Sequence, residues 1–243
     1  ITSVRVSAIS DSTSQESPSP DKTPVNLMLN DGDMKVMTQQ WQDLLFAHWA
    51  YEPDVVQRLL PSGVELDTFE GKAYVGLVPF NMRNLRLRGL PPIPTTSNFG
   101  EVNVRTYVTS RGRSAVWFFS LDTQKLLPTL VARTAFKLPY CYGTTSVTLT
   151  GVGEGAILTS NVARKWPHHS SSAIAVRIGE SVQPGPLDNF LTSRWGLVSS
   201  SRGDRLWYGA VEHEPWPLHR AELLHLDDNL VTAAGLPRPE GEP

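Results

Sequence analysis

Hydrophobic and polar positions alternate in short runs along most of this chain, the period-2 pattern of half-buried strands. Residues 64–67 and 73–78 flank Phe69-Glu70-Gly71-Lys72, a hairpin signal. A second hairpin is read at 102–108 and 115–121 around Ser110-Arg111-Gly112-Arg113, and a third at 146–149 and 156–159 around Gly151-Val152-Gly153-Glu154-Gly155. Further strands are expected at 44–49, 174–178, 196–200, 206–211 and 218–224. Helix signals are fewer. Pro53 opens 53–60, which Pro61-Ser62-Gly63 closes, while 123–136, 186–191 and 227–234 read as helical. Leu90-Pro91-Pro92-Ile93-Pro94 forces an irregular loop. Strands joined by tight turns dominate, which indicates an α+β fold, mainly antiparallel and barrel-like, with a few short helices.

The pattern is absent at the N-terminus. Residues 1–36 hold seven Ser, three Thr and three Pro with no aromatic residue, a composition expected of a disordered extension. A single domain is then expected over 37–237, and residues 238–243 read as a frayed tail. No basic segment followed by an apolar run marks a secretory signal in this sequence.

Composition narrows the function classes. The 243 residues carry 22 Lys+Arg against 24 Asp+Glu, a net charge of −2, which removes the electrostatic case for nucleic acid or an anionic membrane. Apolar runs fall well short of the roughly 18 residues of a membrane-spanning helix. One cysteine, Cys141, excludes an internal disulfide framework and every cysteine-cluster metal site. The expectation is a cytoplasmic protein, with a homo-oligomer left open.

One strand carries most of the chemistry. In Phe99-Gly100-Glu101-Val102-Asn103-Val104-Arg105-Thr106-Tyr107-Val108, period 2 places Glu101, Asn103, Arg105 and Tyr107 on one face and valines with Thr106 on the other. Such a row either sits on a solvated outer face or lines a polar cavity. Its expected partner, 115–121, is apolar on both faces, which favours the cavity. Trp117, Trp207 and Trp216 could wall an apolar pocket or simply pack a core.

Other motifs are weaker. His213, His219 and His225 are too widely spaced on a strand to share one metal, His168-His169 lies in a loop, and His48 reads as a hydrogen-bonded core histidine. The Gly151-x-Gly153-x-Gly155 run opens no helix, so it is a turn and no dinucleotide fingerprint. No metal and no cofactor is expected.

Several motifs occur in a recognisable order: Phe46-Ala47-His48-Trp49, Leu60-Pro61-Ser62-Gly63-Val64, 69–80, 101–108, 116–121, Leu138-Pro139-Tyr140 and Trp216-Pro217-Leu218. In this order the chain resembles the YqjF-like family, an uncharacterised group in the acetoacetate decarboxylase superfamily, over about residues 41–237. The resemblance implies a cone-like antiparallel β-barrel with an internal cavity. Acetoacetate decarboxylase forms a Schiff base from a lysine, and the family's motif is a proline followed by two adjacent lysines. Here Pro139 matches that proline, while Tyr140 and Cys141 stand at the lysine positions. The family's barrel glutamate matches Glu101.

The resulting expectation is a cavity that binds a small oxo- or carboxylic acid. Arg105 holds the carboxylate, Glu101 serves as acid or base, and Asn103, Tyr107, Trp117 and Tyr140 bind substrate. A non-catalytic binding protein is the alternative, since the Schiff-base lysine is missing. A third reading is a structural domain in which Glu101 and Arg105 neutralise each other.

Overall fold

The computed structural model describes residues 3–7, 23–29, 34–87, 97–125, 137–201 and 205–243. Its strands are β1 (Ser3–Ser7), β2 (Thr23–Leu29), β3 (Met34–Gln42), β4 (Leu44–Tyr51), β5 (Glu65–Leu66), β6 (Ala73–Leu87), β7 (Phe99–Ser110) and β8 (Arg113–Thr123). They continue with β9 (Tyr140–Thr150), β10 (Ile157–Trp166), β11 (Ser170–Val182), β12 (Gly196–Ser201), β13 (Arg205–Glu212) and β14 (Leu218–Asp228). Three short helices, α1 (Pro53–Gln57), α2 (Pro186–Thr192) and α3 (Leu230–Ala233), complete the described elements.

All the strands belong to one 14-stranded sheet that closes on itself. The main closure is a nine-stranded ring, β6-β4-β1-β14-β11-β10-β9-β8-β7 and back to β6. It is mixed, because β8 and β9 run parallel. The remaining pairings close a second, smaller ring, β6-β3-β2-β13-β12-β8-β7, through a parallel β12–β8 contact. Strands β6, β7 and β8 form the wall shared by both rings.

Period 2 then assigns the two faces of that wall. Ala73, Val75 and Leu77 of β6 and Val102 and Val104 of β7 point into the larger ring, whose interior is a continuous apolar core with Leu45, Ala47, Ile174 and Val176. Val78, Phe80 and Met82 of β6 turn the other way, into the smaller ring with Phe46, Phe99 and Trp216. A strand in a shared wall has no solvated face. Eleven of the twelve residues of β7 are accordingly buried.

One polar cluster sits inside the larger ring. Arg164 of β10 donates from Nε and Nη2 to the two carboxylate oxygens of Asp122, each at 2.6 Å, and from Nη2 to Ser120 Oγ at 2.9 Å. Both charged side chains are essentially inaccessible, at 2% and 0% exposure. The fork geometry of the guanidinium satisfies both carboxylate oxygens, which a lysine could not do.

The structure corrects several sequence-based expectations. Residues 3–7 and 23–29, expected to be disordered on composition, form β1 and β2, with Val4, Val6 and Val25 buried. Their alternating apolar positions pair with ordered strands, and this outweighs the polar segments around them. The C-terminal tail is tethered where fraying was expected: Tyr51 Oη donates to Pro237 O at 3.0 Å and Trp49 Nε1 to Gly241 O at 3.3 Å. Strand β5 pairs with β7 and not with β6, although the expected turn is present as a Phe69–Lys72 bridge. Residues 227–234 divide between the end of β14 and the four-residue α3. The expected loop at 90–94 lies outside the described residues. Most of the expected 123–136 helix does too, and Thr123 itself ends β8.

Candidate functional site

The smaller ring encloses a cavity of about 70 Å³. Its polar side comes from β7, which presents Glu101, Asn103 and Arg105, and from Tyr140 at the start of β9. Apolar residues from the rest of the ring, among them Val25, Met82, Phe118, Leu121 and Trp216, cover the other walls. Among the described residues no lysine lines it.

Arg105 is 5% exposed and anchored from below. Its Nη2 donates to Leu191 O at the C-terminal end of α2, at 3.0 Å, and to Tyr107 Oη at 3.2 Å. The Tyr107 hydroxyl spends its one proton on the same carbonyl, at 2.7 Å. His48 Nε2, 2.6 Å from Tyr107 Oη, must therefore be the donor, which fixes the neutral tautomer protonated at Nε2. Burial, and then the nearby Arg105 charge, hold His48 well below its usual range, so the ring is neutral. Gly76 makes room for it: a Cβ there would stand 2.6 Å from His48 Nε2. Tyr107 itself does not line the cavity. It is completely buried and braces Arg105.

Glu101 is 2% exposed, and its only described hydrogen bond is from Tyr140 Oη, 3.0 Å from Oε2. Burial pushes its carboxyl up to about 8, although the Tyr140 bond opposes this; Asp122 adds to the rise. Burial and the facing Glu101 also push the Tyr140 phenol well above its usual range. At neutral pH the pair therefore carries protons on both oxygens. No ion pair joins Glu101 to Arg105 among the described residues, so the reading in which these two neutralise each other is not what the structure shows. The Arg105 guanidinium faces the cavity without a carboxylate.

Trp117 does not reach this site. It lies opposite Thr106, on the other face of β7 from Arg105, and lines an outer groove with Leu59 and Val198. Past Phe118 the β7–β8 register shifts between Val104 and Arg105, a bulge at Phe119, so Phe118 and Leu121 both enter the cavity while Phe119 does not. Cys141 also leaves the site, because it alternates with Tyr140 and lies opposite Asp122.

Sequence reading missed the far wall. Gln39 and Trp41 of β3, Arg194 after α2, and His213 line the cavity too. Arg194 pairs with Asp67 and lies over the Phe190 and Tyr107 rings, 4.3 and 5.0 Å from their centroids. Trp195, His213, Trp216 and Trp41 stack in sequence, with neighbouring centroids 6.0, 4.8 and 5.8 Å apart, from the exposed Trp195 to the cavity wall. Only the wide separation of these residues in sequence hid them.

The model of DUF2071, described as an uncharacterized conserved protein, matches residues 38–243. The chain belongs to the DUF2071 family. This DUF2071 chain is 35% identical over 218 residues to the uncharacterized protein YqjF of Bacillus subtilis (strain 168), covering 90% of this chain and 89% of that one. Among solved structures it is similar to an acetoacetate decarboxylase-like enzyme from Sphingomonas wittichii RW1, at 13% identity and a TM-score of 0.51, over 84% of this chain and 94% of that one. An acetoacetate decarboxylase from Legionella pneumophila matches at 12% identity and a TM-score of 0.49, over 89% and 98%. The DUF2071 chain thus has the acetoacetate decarboxylase-like fold, with Tyr140 and Cys141 where the resemblance places the paired lysines.

Proposed function

We propose that the smaller ring binds a small carboxylic or oxo acid, with Arg105 as its anchor. The observation that carries this reading is a buried guanidinium, braced on one side by Leu191 O and Tyr107, that meets no carboxylate on its cavity side. Burying a cation without a counter-charge is costly, and an anionic ligand removes that cost. Glu101 stays protonated near neutral pH and so does not repel the anion; it offers the ligand a hydrogen bond instead. Asn103 supplies a second polar contact and Tyr140 orients Glu101.

A second reading, catalysis, rests on Glu101. A carboxyl pushed to about 8 is suited to donate and recover a proton at neutral pH. The chemistry it supports is acid–base catalysis on the bound acid, because no lysine reaches the cavity among the described residues. Without turnover, the same residues make a binding protein. Isothermal titration with acetate, pyruvate, butanoate and acetoacetate is the test, on wild type and on Arg105→Gln. Binding by wild type that Arg105→Gln abolishes supports the proposal. Failure of all four to bind wild type, or equal binding by the variant, overturns it. Following acetoacetate and pyruvate by NMR in the same samples separates turnover from binding alone.

A further inference from the structure

Six buried side-chain polar atoms lack a hydrogen-bond partner among the described residues, and four of them belong to residues that line this one cavity: Arg105 Nε, Asn103 Oδ1, Gln39 Oε1 and Trp41 Nε1. Folded proteins leave few such groups unpaired, because each costs the desolvation of a polar atom without return. The four fall into two pairs. Arg105 and Asn103 are neighbours on one face of β7. Gln39 and Trp41 are neighbours on one face of β3, about 6.6–6.8 Å apart along the strand.

The pairs stand on different strands of the ring, with β6 between them. Trp41 lies opposite Met82 of β6, which lies opposite Phe99 of β7, and Arg105 is six residues further along β7. Apolar residues, among them Val25, Met37, Met82, Val211 and Trp216, cover much of the remaining wall. A volume of about 70 Å³ suits a small, slender acid. A benzene ring occupies an engineered cavity of about 150 Å³.

We infer that the acid bound here carries a hydroxyl at the end remote from its carboxylate, and that Gln39 and Trp41 are the residues that recognise it. The inference rests on the carboxylic-acid reading above. A hydroxyl can donate to Gln39 Oε1 while accepting from Trp41 Nε1, so a single group satisfies both atoms. A second carboxylate would accept from Trp41 but face the Gln39 oxygen as like to like. An ammonium would donate to Gln39 but meet the Trp41 N–H as a second donor. The ligand class is therefore a slender distal-hydroxy carboxylic acid.

Matched pairs of probes test this by isothermal titration: butanoate with 4-hydroxybutanoate, and hexanoate with 6-hydroxyhexanoate. In the wild-type protein the hydroxy member of the better-fitting pair binds about tenfold tighter, the worth of one net buried hydrogen bond. Trp41→Phe removes the N–H and keeps an aromatic ring in the stack. Gln39→Leu removes the acceptor and serves where the tryptophan variant fails to fold. Either folded variant cancels the hydroxyl's advantage, so that the hydroxy acid and the alkanoate of a pair bind alike. Alkanoates that bind as tightly as their hydroxy partners, or an advantage that survives in the folded variants, overturn this inference while leaving the acid-binding proposal intact. If no member of either pair binds, the acid-binding reading fails and this inference fails with it.

Discussion

Replacing Glu101 with glutamine should stabilise the protein, and by an amount that grows with pH. The carboxyl is 2% exposed and its folded-state value is raised from 4.5 to about 8, mainly by burial. Below pH 4.5 the group is protonated in both folded and unfolded chains, so it imposes no ionisation penalty. Between 4.5 and about 8 the unfolded chain releases the proton and the folded one keeps it. The unfolded state then binds fewer protons, so stability falls as pH rises, until both states are ionised. At roughly 1.4 kcal/mol per pH unit, the cost at pH 7 is about 3 kcal/mol, a substantial share of a typical stability of roughly 5–15 kcal/mol. Glutamine has the shape of the protonated acid and can still accept from Tyr140. Urea denaturation of wild type and Glu101→Gln at intervals from pH 4.5 to 8.5 reads the difference directly. Near-equal stabilities at pH 4.5 that diverge in favour of the variant by pH 7 are expected. A difference that does not change with pH, or a variant less stable throughout, would refute a protonated buried Glu101.

Arg105→Ala and Glu101→Gln should be close to additive in a double-mutant cycle of thermal or urea stability, with a coupling below about 0.5 kcal/mol, because no ion pair joins them; strong rescue of the arginine variant by the second change would show the pair to be internal. Gly76→Ala places a Cβ 2.6 Å from His48 Nε2 and must displace that ring from Tyr107. It should destabilise the protein by about 1–3 kcal/mol in urea denaturation, the cost of overpacking, and wild-type stability would show that the close approach is easily relieved. Borohydride treatment with acetoacetate should leave no lysine adduct in the intact-mass spectrum, since no lysine lines the cavity among the described residues; a stable adduct would overturn the exclusion of Schiff-base chemistry.

How far the sequence discloses this architecture depends on how local the determining contacts are. The face of β7 that carries Glu101, Asn103 and Arg105 follows from period 2 alone, and the β7–β8 hairpin follows from Arg111-Gly112, both at positive φ in the structure. The same hairpin register puts Trp117 opposite Thr106, on the valine face of β7 and away from Arg105, whereas no residue type announces the bulge at Phe119 that brings Leu121 in beside Phe118. Strands β1 and β2 are hard to read because Val4, Val6 and Val25 are few and lie in Ser- and Pro-rich surroundings; pairing with β4 and β14 makes the first a strand, and pairing with β3 and β13 the second. The parallel β8–β9 and β8–β12 pairings close the two rings, and neither is a hairpin with a turn signature. For that reason Gln39, Trp41 and His213 could not be assigned to the same cavity as Arg105 before the rings were seen to close.

The central claim is that Arg105 waits in an enclosed cavity for an acid from outside. Crystals grown at pH 7 and soaked with 4-hydroxybutanoate or pyruvate test it most directly through the electron density inside the smaller ring. A carboxylate within hydrogen-bonding distance of the Arg105 guanidinium is expected, with Glu101 close enough to donate to the ligand. An acid-soaked crystal whose cavity holds only water, or a ligand that binds elsewhere and leaves the Arg105 guanidinium without a carboxylate, would contradict it.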